Sequence, residues 1–138
     1  MTKETLLQMA RNAAAFAYAP YSEFRVGAAL LCEDGTVVTG ANVENRSYGL
    51  TICAERSAVV AAISAGHTVF QALAISTPDA TGPVGPCGAC RQVLSEFAPP
   101  ELPVYCEDAG RPGESAIDTT VGHLLPFDSL HDLGRDAH

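Results

Sequence analysis

Three cysteines and a glutamate carry the reactive chemistry of this sequence: Cys53-Ala54-Glu55 and, further along, Pro86-Cys87-Gly88-Ala89-Cys90. A cysteine followed at a distance by a Cys-x-x-Cys pair offers three thiolates, which zinc takes readily as ligands. Closing a structural tetrahedron takes four. With three, one position stays open, and an open position on zinc can hold a water and bring its pKa toward neutrality. Glu55 places a carboxylate two residues from the first cysteine, where such a water needs a proton carrier. Three thiolates also leave the divalent metal with an excess negative charge, which opposes that acidification. Helix N-termini can offset it. So can Arg56, one turn from Cys53, from which a hydrogen bond to a zinc thiolate is expected; Arg91 directly follows Cys90.

Other uses of the cysteines are open to the residues alone. Cys87-Gly88-Ala89-Cys90 between a strand and a helix also suits a thioredoxin-like redox pair, but Cys53-Ala54-Glu55 then has no role. A closed structural zinc site needs a fourth ligand from His67, His123, His131, His138, Cys32 or Cys106, and none stands at a usual ligand spacing. Cys32 and Cys106 lie in apolar, strand-like runs and read as inert buried thiols.

The surrounding elements must bring these residues together. Leu6, Met9, Ala10, Ala13, Phe16 and Ala17 recur at helical spacing and predict a helix over Thr2–Tyr18, stopped by Pro20. Extended segments Phe24–Cys32 and Thr36–Val43 flank Glu33-Asp34-Gly35, a hairpin signal. A second helix is predicted over Cys53–Ala65, ended by Gly66, and a third over Gly88–Ala98, stopped by Pro99-Pro100. Strands Ala72–Thr77, Pro103–Cys106 and Ala116–Thr120 complete the order, the last two joined by a turn too short for a parallel crossover. The fold class is α/β: a three-layer α/β/α arrangement with a five-stranded mixed sheet, two βαβ units and an antiparallel last hairpin. Right-handed crossovers start the second and third helices at one sheet edge and on one face. That convergence joins Cys53 to Cys87 and Cys90, at the edge where ligands commonly bind.

A chain of 138 residues, 47% hydrophobic, reads as a single domain over 1–138 with a flexible tail at 129–138. No apolar stretch approaches the ~20 residues that span a bilayer. Met1-Thr2-Lys3-Glu4-Thr5 lacks a signal-peptide layout, so no membrane partner and a cytoplasmic location are expected. Net charge is −8, from 16 acidic and 8 basic residues, the latter scattered singly. A nucleic-acid channel needs a basic stripe, so a small neutral or cationic substrate fits better. Five cysteines without a secretion signal argue against a disulfide framework.

Four blocks together resemble a known family: Pro20-Tyr21-Ser22-Glu23-Phe24-Arg25-Val26-Gly27-Ala28-Ala29, Asn42-Val43-Glu44-Asn45, Cys53-Ala54-Glu55-Arg56 and Pro86-Cys87-Gly88-Ala89-Cys90-Arg91-Gln92-Val93. They are similar to the cytidine deaminases of the small, free-nucleoside type, over nearly everything from Ala19 to Pro126. The cysteine and glutamate motifs mark only the wider group of zinc-dependent base deaminases; the Asn42 and Phe24 blocks narrow it.

The resemblance implies a cytidine-deaminase-like fold and Zn2+ held by Cys53, Cys87 and Cys90, with Glu55 as proton shuttle. It implies that Asn42 and Glu44 bind the sugar hydroxyl, Phe24 packs on the pyrimidine, and the Ala54 backbone meets the amide edge of the base. The implied reaction is hydrolytic deamination of cytidine and deoxycytidine in pyrimidine salvage. The implied assembly is a homotetramer in which a neighbour's C-terminal aromatic completes each site. Here the chain departs from the family. Leu-Leu-Pro is usually followed by two residues and then Phe, whereas Leu124-Leu125-Pro126 runs directly into Phe127, which would fill that role through a shortened loop.

Residue chemistry agrees at the sugar site. Side chains at i and i+2 of an extended strand share a face, and an amide with a carboxylate supplies donor and acceptor. Glu44 would repel a phosphate, favouring nucleoside over nucleotide. Two alternatives stand beside this: a deaminase of another cytosine-bearing small molecule such as blasticidin S, and a non-catalytic zinc-binding module.

Overall fold

The run Gly27–Cys32 (β1) is buried along nearly its whole length, which marks a strand covered on both faces. The other strands are Val37–Ala41 (β2), Phe70–Thr77 (β3), Pro103–Asp108 (β4) and Ile117–Thr120 (β5), and the sheet order is β2-β1-β3-β4-β5. The computed structural model describes residues 1–82 and 84–128; the tail expected at 129–138 lies outside them. β1 is antiparallel to both β2 and β3, β3 and β4 are parallel, and β5 returns antiparallel to β4. Thus β2, β3 and β4 all run one way. The first βαβ unit is not a pair of adjacent strands, because β1 stands between β2 and β3. Burial explains the order: β1 takes the interior, and the half-exposed β2 takes the edge.

Alternation along the strands divides the core into two layers. Ala29, Ala72 and Ala74 meet Leu6, Leu7 and Ala10 of Lys3–Ala14 (α1) on one face. Ala28, Leu30, Leu73, Ile75 and Val104 meet Ala54–Ser64 (α2) and Gly88–Phe97 (α3) on the other. Two glycines set the helix-to-sheet distance. A Cβ on Gly27 would lie 1.9 Å from the Ala10 carbonyl oxygen, and one on Gly40 would lie 2.5 Å from Ala58 N. On α2, Ala54, Ala58 and Ala62 are fully buried, whereas Ala61 and Ala65 are exposed. Gly66 closes α2 in the left-handed region, at φ +93.

α1 ends at Ala14, four residues before the boundary expected from periodicity. The chain leaves the helix through 3-10-type bonds from Phe16 N and Ala17 N, and Tyr18 then pairs with the extended segment at Val43. Phe16, counted with the apolar stripe, is therefore 83% exposed. A short 3-10 turn at Tyr48–Leu50 and a single helical turn at Val121–Leu124 (α4) carry too little pattern to be read in advance.

On the α1 face a buried ion pair fastens helix to sheet. Arg11 Nε and Nη2 donate to the two Glu107 carboxylate oxygens at 2.7 and 2.8 Å. Ser76 Oγ and Gly113 N donate to the same carboxylate at 2.9 and 3.0 Å. The Glu107 side chain is 1% exposed and that of Arg11 27%, so the carboxylate depends on its partner more than the guanidinium does. Arg11→Met should lower unfolding free energy by about 3 kcal/mol by leaving that buried charge unpaired. Glu107→Gln should cost less. Urea melts with equal midpoints for Arg11→Met and native protein would refute this.

Candidate zinc centre and pocket

Cys53 and Cys87 occupy the N-cap positions of α2 and α3, and neither side chain caps its helix. Cap positions favour Ser, Thr, Asp or Asn, whose oxygens satisfy free N–H groups. Thr2 does this for α1 and Thr120 for α4. The two thiols instead turn toward each other, 3.8 Å apart, and Cys90 joins them from the first turn of α3. All three sulfurs lie within 4.8 Å of one another. Zinc–sulfur bonds of about 2.3 Å at tetrahedral angles place sulfurs about 3.8 Å apart, so the cluster fits zinc. Among the described residues no histidine, carboxylate or further cysteine joins it; His131 and His138 lie outside them. Three protein ligands leave a tetrahedral metal one open position.

Arg56 Nη2 lies 3.3 Å from Cys53 Sγ and 3.4 Å from the Thr51 carbonyl oxygen. Three adjacent thiols cannot all ionise unaided. Cys53 is the one that does so most readily: its pKa falls to about 5, first through the hydrogen bond from Cys90 and then through Arg56. Cys90 is raised in return, chiefly by the same contact with Cys53. Arg91, also basic and beside Cys90, is committed elsewhere. Its Nε donates to the Pro86 carbonyl at 2.8 Å and its Nη1 to that of Leu124 at 3.1 Å, which holds the turn ahead of Cys87 against α4.

Glu55 sits in the first turn of α2 and is only 5% exposed. Burial raises its pKa, and the Cys53 thiolate adds to that, although a helix N-terminus favours a carboxylate. With Cys53, Cys87 and the fully buried Ala54 it lines a pocket of about 190 Å³, walled by Val26, Ile75 and Val84. Asn42 lies on the same pocket. Cys32 and Cys106 are buried in the core; burial raises both thiols, that of Cys106 to about 12.

Asn42 and Glu44 lie just past β2, on a segment kept extended by bridges from Val43 to Tyr18 and Ile52. Both face the 21–26 segment and hold it. Asn42 Oδ1 accepts from Val26 N at 2.9 Å, and its Nδ2 donates to the Phe24 carbonyl at 2.8 Å. Glu44 accepts from Tyr21 N and Ser22 N at 3.0 and 3.1 Å, and also from Ser22 Oγ. These bonds explain why β1 begins at Gly27 and not at Phe24. Phe24 is half-buried. Phe127 stands apart from the pocket at φ +56 and 90% exposed. Sequence reasoning missed Asp79, which accepts from Arg25 N, Nε and Nη2. A carboxylate in a Gly/Pro-rich loop carries no local signal for such a pairing.

A donor set one ligand short of closure, beside a buried carboxylate, is the arrangement of zinc hydrolases that deaminate nucleobases. The comparisons with known proteins agree. Residues 1–106 match the model of the cytidine and deoxycytidylate deaminase zinc-binding region, and the chain belongs to that family. A cytidine deaminase of Mycobacterium tuberculosis is 56% identical over 129 residues, covering 92% of this chain and 90% of that protein. One from Sporosarcina psychrophila is 49% identical over 126 residues, covering 91% and 90%. The crystal structure of cytidine deaminase from Burkholderia pseudomallei superposes with a TM-score of 0.86 at 46% identity, covering 92% of this chain and 98% of that one.

Purified protein should carry about one zinc per chain, and Cys87→Ala should lose it on dialysis because two thiolates hold the metal too weakly. Atomic emission measures both. Full zinc retention in Cys87→Ala would contradict the ligand set.

Proposed function

We propose that the chain deaminates cytidine and deoxycytidine hydrolytically, giving uridine or deoxyuridine and ammonia. The observation that carries this reading is Glu55, buried in a pocket beside three thiols that leave zinc an open position. Relatives at 49% and 56% identity named cytidine deaminase support the substrate.

Bound zinc supplies Lewis acidity that brings the pKa of water toward neutrality. Glu55 accepts the proton of the attacking water and delivers it to N3 of the base as oxygen bonds to C4. It then carries the second proton to the C4 amine as the C–N bond breaks. One carboxylate is thus base and acid in turn, a task suited by a pKa moved up toward working pH. Arg56 shares the charge of the Cys53 thiolate, and the Ala54 backbone, at the start of α2, meets the amide edge of the base. Phe24 packs on the ring.

Hydrogen-bond capacity supports Asn42 and Glu44 as the sugar site. Asn42 Nδ2 has a second hydrogen beyond the one given to Phe24, and a carboxylate has about four acceptor sites, of which the loop takes three. A hydroxyl can therefore accept from Asn42 and donate to Glu44 without dismantling the loop. The bonds from Ser22 lower the pKa of Glu44, keeping it ionised at neutral pH and hostile to a phosphate.

The reading extends to a cytoplasmic homotetramer of pyrimidine salvage, with Phe127 reaching a neighbour's site. Exposed Phe16, Tyr48, Leu50 and Phe127 suit subunit contacts. Lys3, Arg11, Arg25, Arg56 and Arg91 are engaged within the chain, which disfavours a nucleic-acid partner. No helix among the described residues is long and apolar enough to cross a membrane.

Glu55→Gln should keep zinc while kcat falls by at least ~10²; near-native turnover would remove Glu55 from its role. Ammonia release should be found with cytidine and deoxycytidine, and not with CMP, cytosine or blasticidin S. Activity confined to CMP would overturn the sugar-site assignment.

A further inference from the structure

Both flanks of the pocket are irregular chain. One is the entry to β1, from which Val26 lines the pocket; the other is the loop from β3 to α3, which contributes Val84, Gly85 and Cys87. Among the described residues, a single ion pair ties these flanks together. Arg25 Nε and Nη2 donate to Asp79 at 3.0 and 2.8 Å, and Arg25 N donates to the same carboxylate at 2.8 Å. The fork of a guanidinium fixes direction as well as distance.

Phe24 lies inside a short span held at several points. Asn42 holds its carbonyl and the next N–H but one, Ser22 Oγ accepts from its own N–H at 3.1 Å, and Asp79 holds Arg25. Glu23, directly before it, is at φ +56, a left-handed conformation that persists in a non-glycine residue only when neighbouring contacts over-determine it.

We propose that Arg25 and Asp79 form a positioning clamp that fixes the segment carrying Phe24 to the loop from β3 to α3 and so sets the affinity for nucleoside. The proposal rests on the reading of Phe24 as the ring that packs on the base. The Arg25 side chain is 49% exposed, and exposed pairs contribute little to global stability, so the clamp acts on the pocket and not on the fold. Arg25 lowers the pKa of Asp79 to about 2, first by its side-chain hydrogen bonds. The pair is therefore ionised, and its effect constant, across neutral pH.

The test is a set of kcat and KM measurements on cytidine, with melting temperatures, in Arg25→Ala, Asp79→Ala and the double variant, and of Arg25→Ala in a Phe24→Ala background. Arg25→Ala should raise KM about three- to five-fold, with kcat changed less than about two-fold and the melting temperature held. Asp79→Ala should raise KM at least as much, since the bond to Arg25 N is lost too. The double variant should be no worse than Asp79→Ala, as expected for partners acting through each other. In the Phe24→Ala background the Arg25 effect should vanish. An unchanged KM in Arg25→Ala, single effects that multiply, or an equal rise in the Phe24→Ala background would each overturn the clamp. Phe24→Ala alone tests the base-packing reading separately: a native KM there removes that reading, whatever Arg25 does.

Discussion

Two thiols 3.8 Å apart on the cap residues of two different helices constrain everything around them. Both helices must begin at one edge of the sheet, on one face, within a few ångströms. The parallel run of β2, β3 and β4 provides the edge, and right-handed crossovers provide the face. Close contact provides the distance: α2 lies on β2 where Gly40 has no Cβ to hold it off, and its buried alanines add no bulk. Each cap position forgoes the side-chain bond that Thr2 and Thr120 supply elsewhere. Local rules of helix design are broken where the chemistry needs the residue, as functional sites commonly do.

Charge is the second requirement. Thiolates crowded at one point need positive partners, and those present are the helix starts and Arg56. The two arginines that follow the motifs have different duties. Arg56 reaches sulfur, whereas Arg91 ties backbone carbonyls at Pro86 and Leu124 and so holds the loop from which Cys87 emerges. Glu55 experiences the opposing effects of burial and helix start, and burial prevails. A carboxylate whose pKa is raised is the stronger base toward the attacking water.

The pocket has a firm floor and an adaptable rim. Its floor is core, with Ile75 on a central strand and Ala54 on a packed helix. Its rim includes Val26, at the end of a 21–26 segment held by the side chains of Asn42, Glu44 and Asp79. Asn42 and Glu44, the proposed sugar-binding pair, thus also shape the 21–26 segment, so substitutions there alter that segment as well. On the far face, Arg11 and Glu107 anchor α1 to β4 and keep the sheet from shifting beneath the site.

Much of this was legible in the residues. Cysteine spacing told an open zinc site from a closed one, because ligand count is a property of composition. Helical spacing located α1, and Asp34-Gly35, Gly66 and Pro99-Pro100 bounded the first hairpin and the next two helices, because those signals are local geometry. The Asn42 block carried part of the family resemblance, from which a hydroxyl-binding role for Asn42 and Glu44 was an expectation. The insertion of β1 between β2 and β3, the early end of α1 at Ala14, the attachment of Asn42 and Glu44 to the Phe24 loop, and the pairing of Arg25 with Asp79 were decided only by tertiary structure. Each depends on which distant groups compete for the same backbone or charge. That competition is settled when surfaces pack, and a sequence read in windows of a few residues contains no term for it.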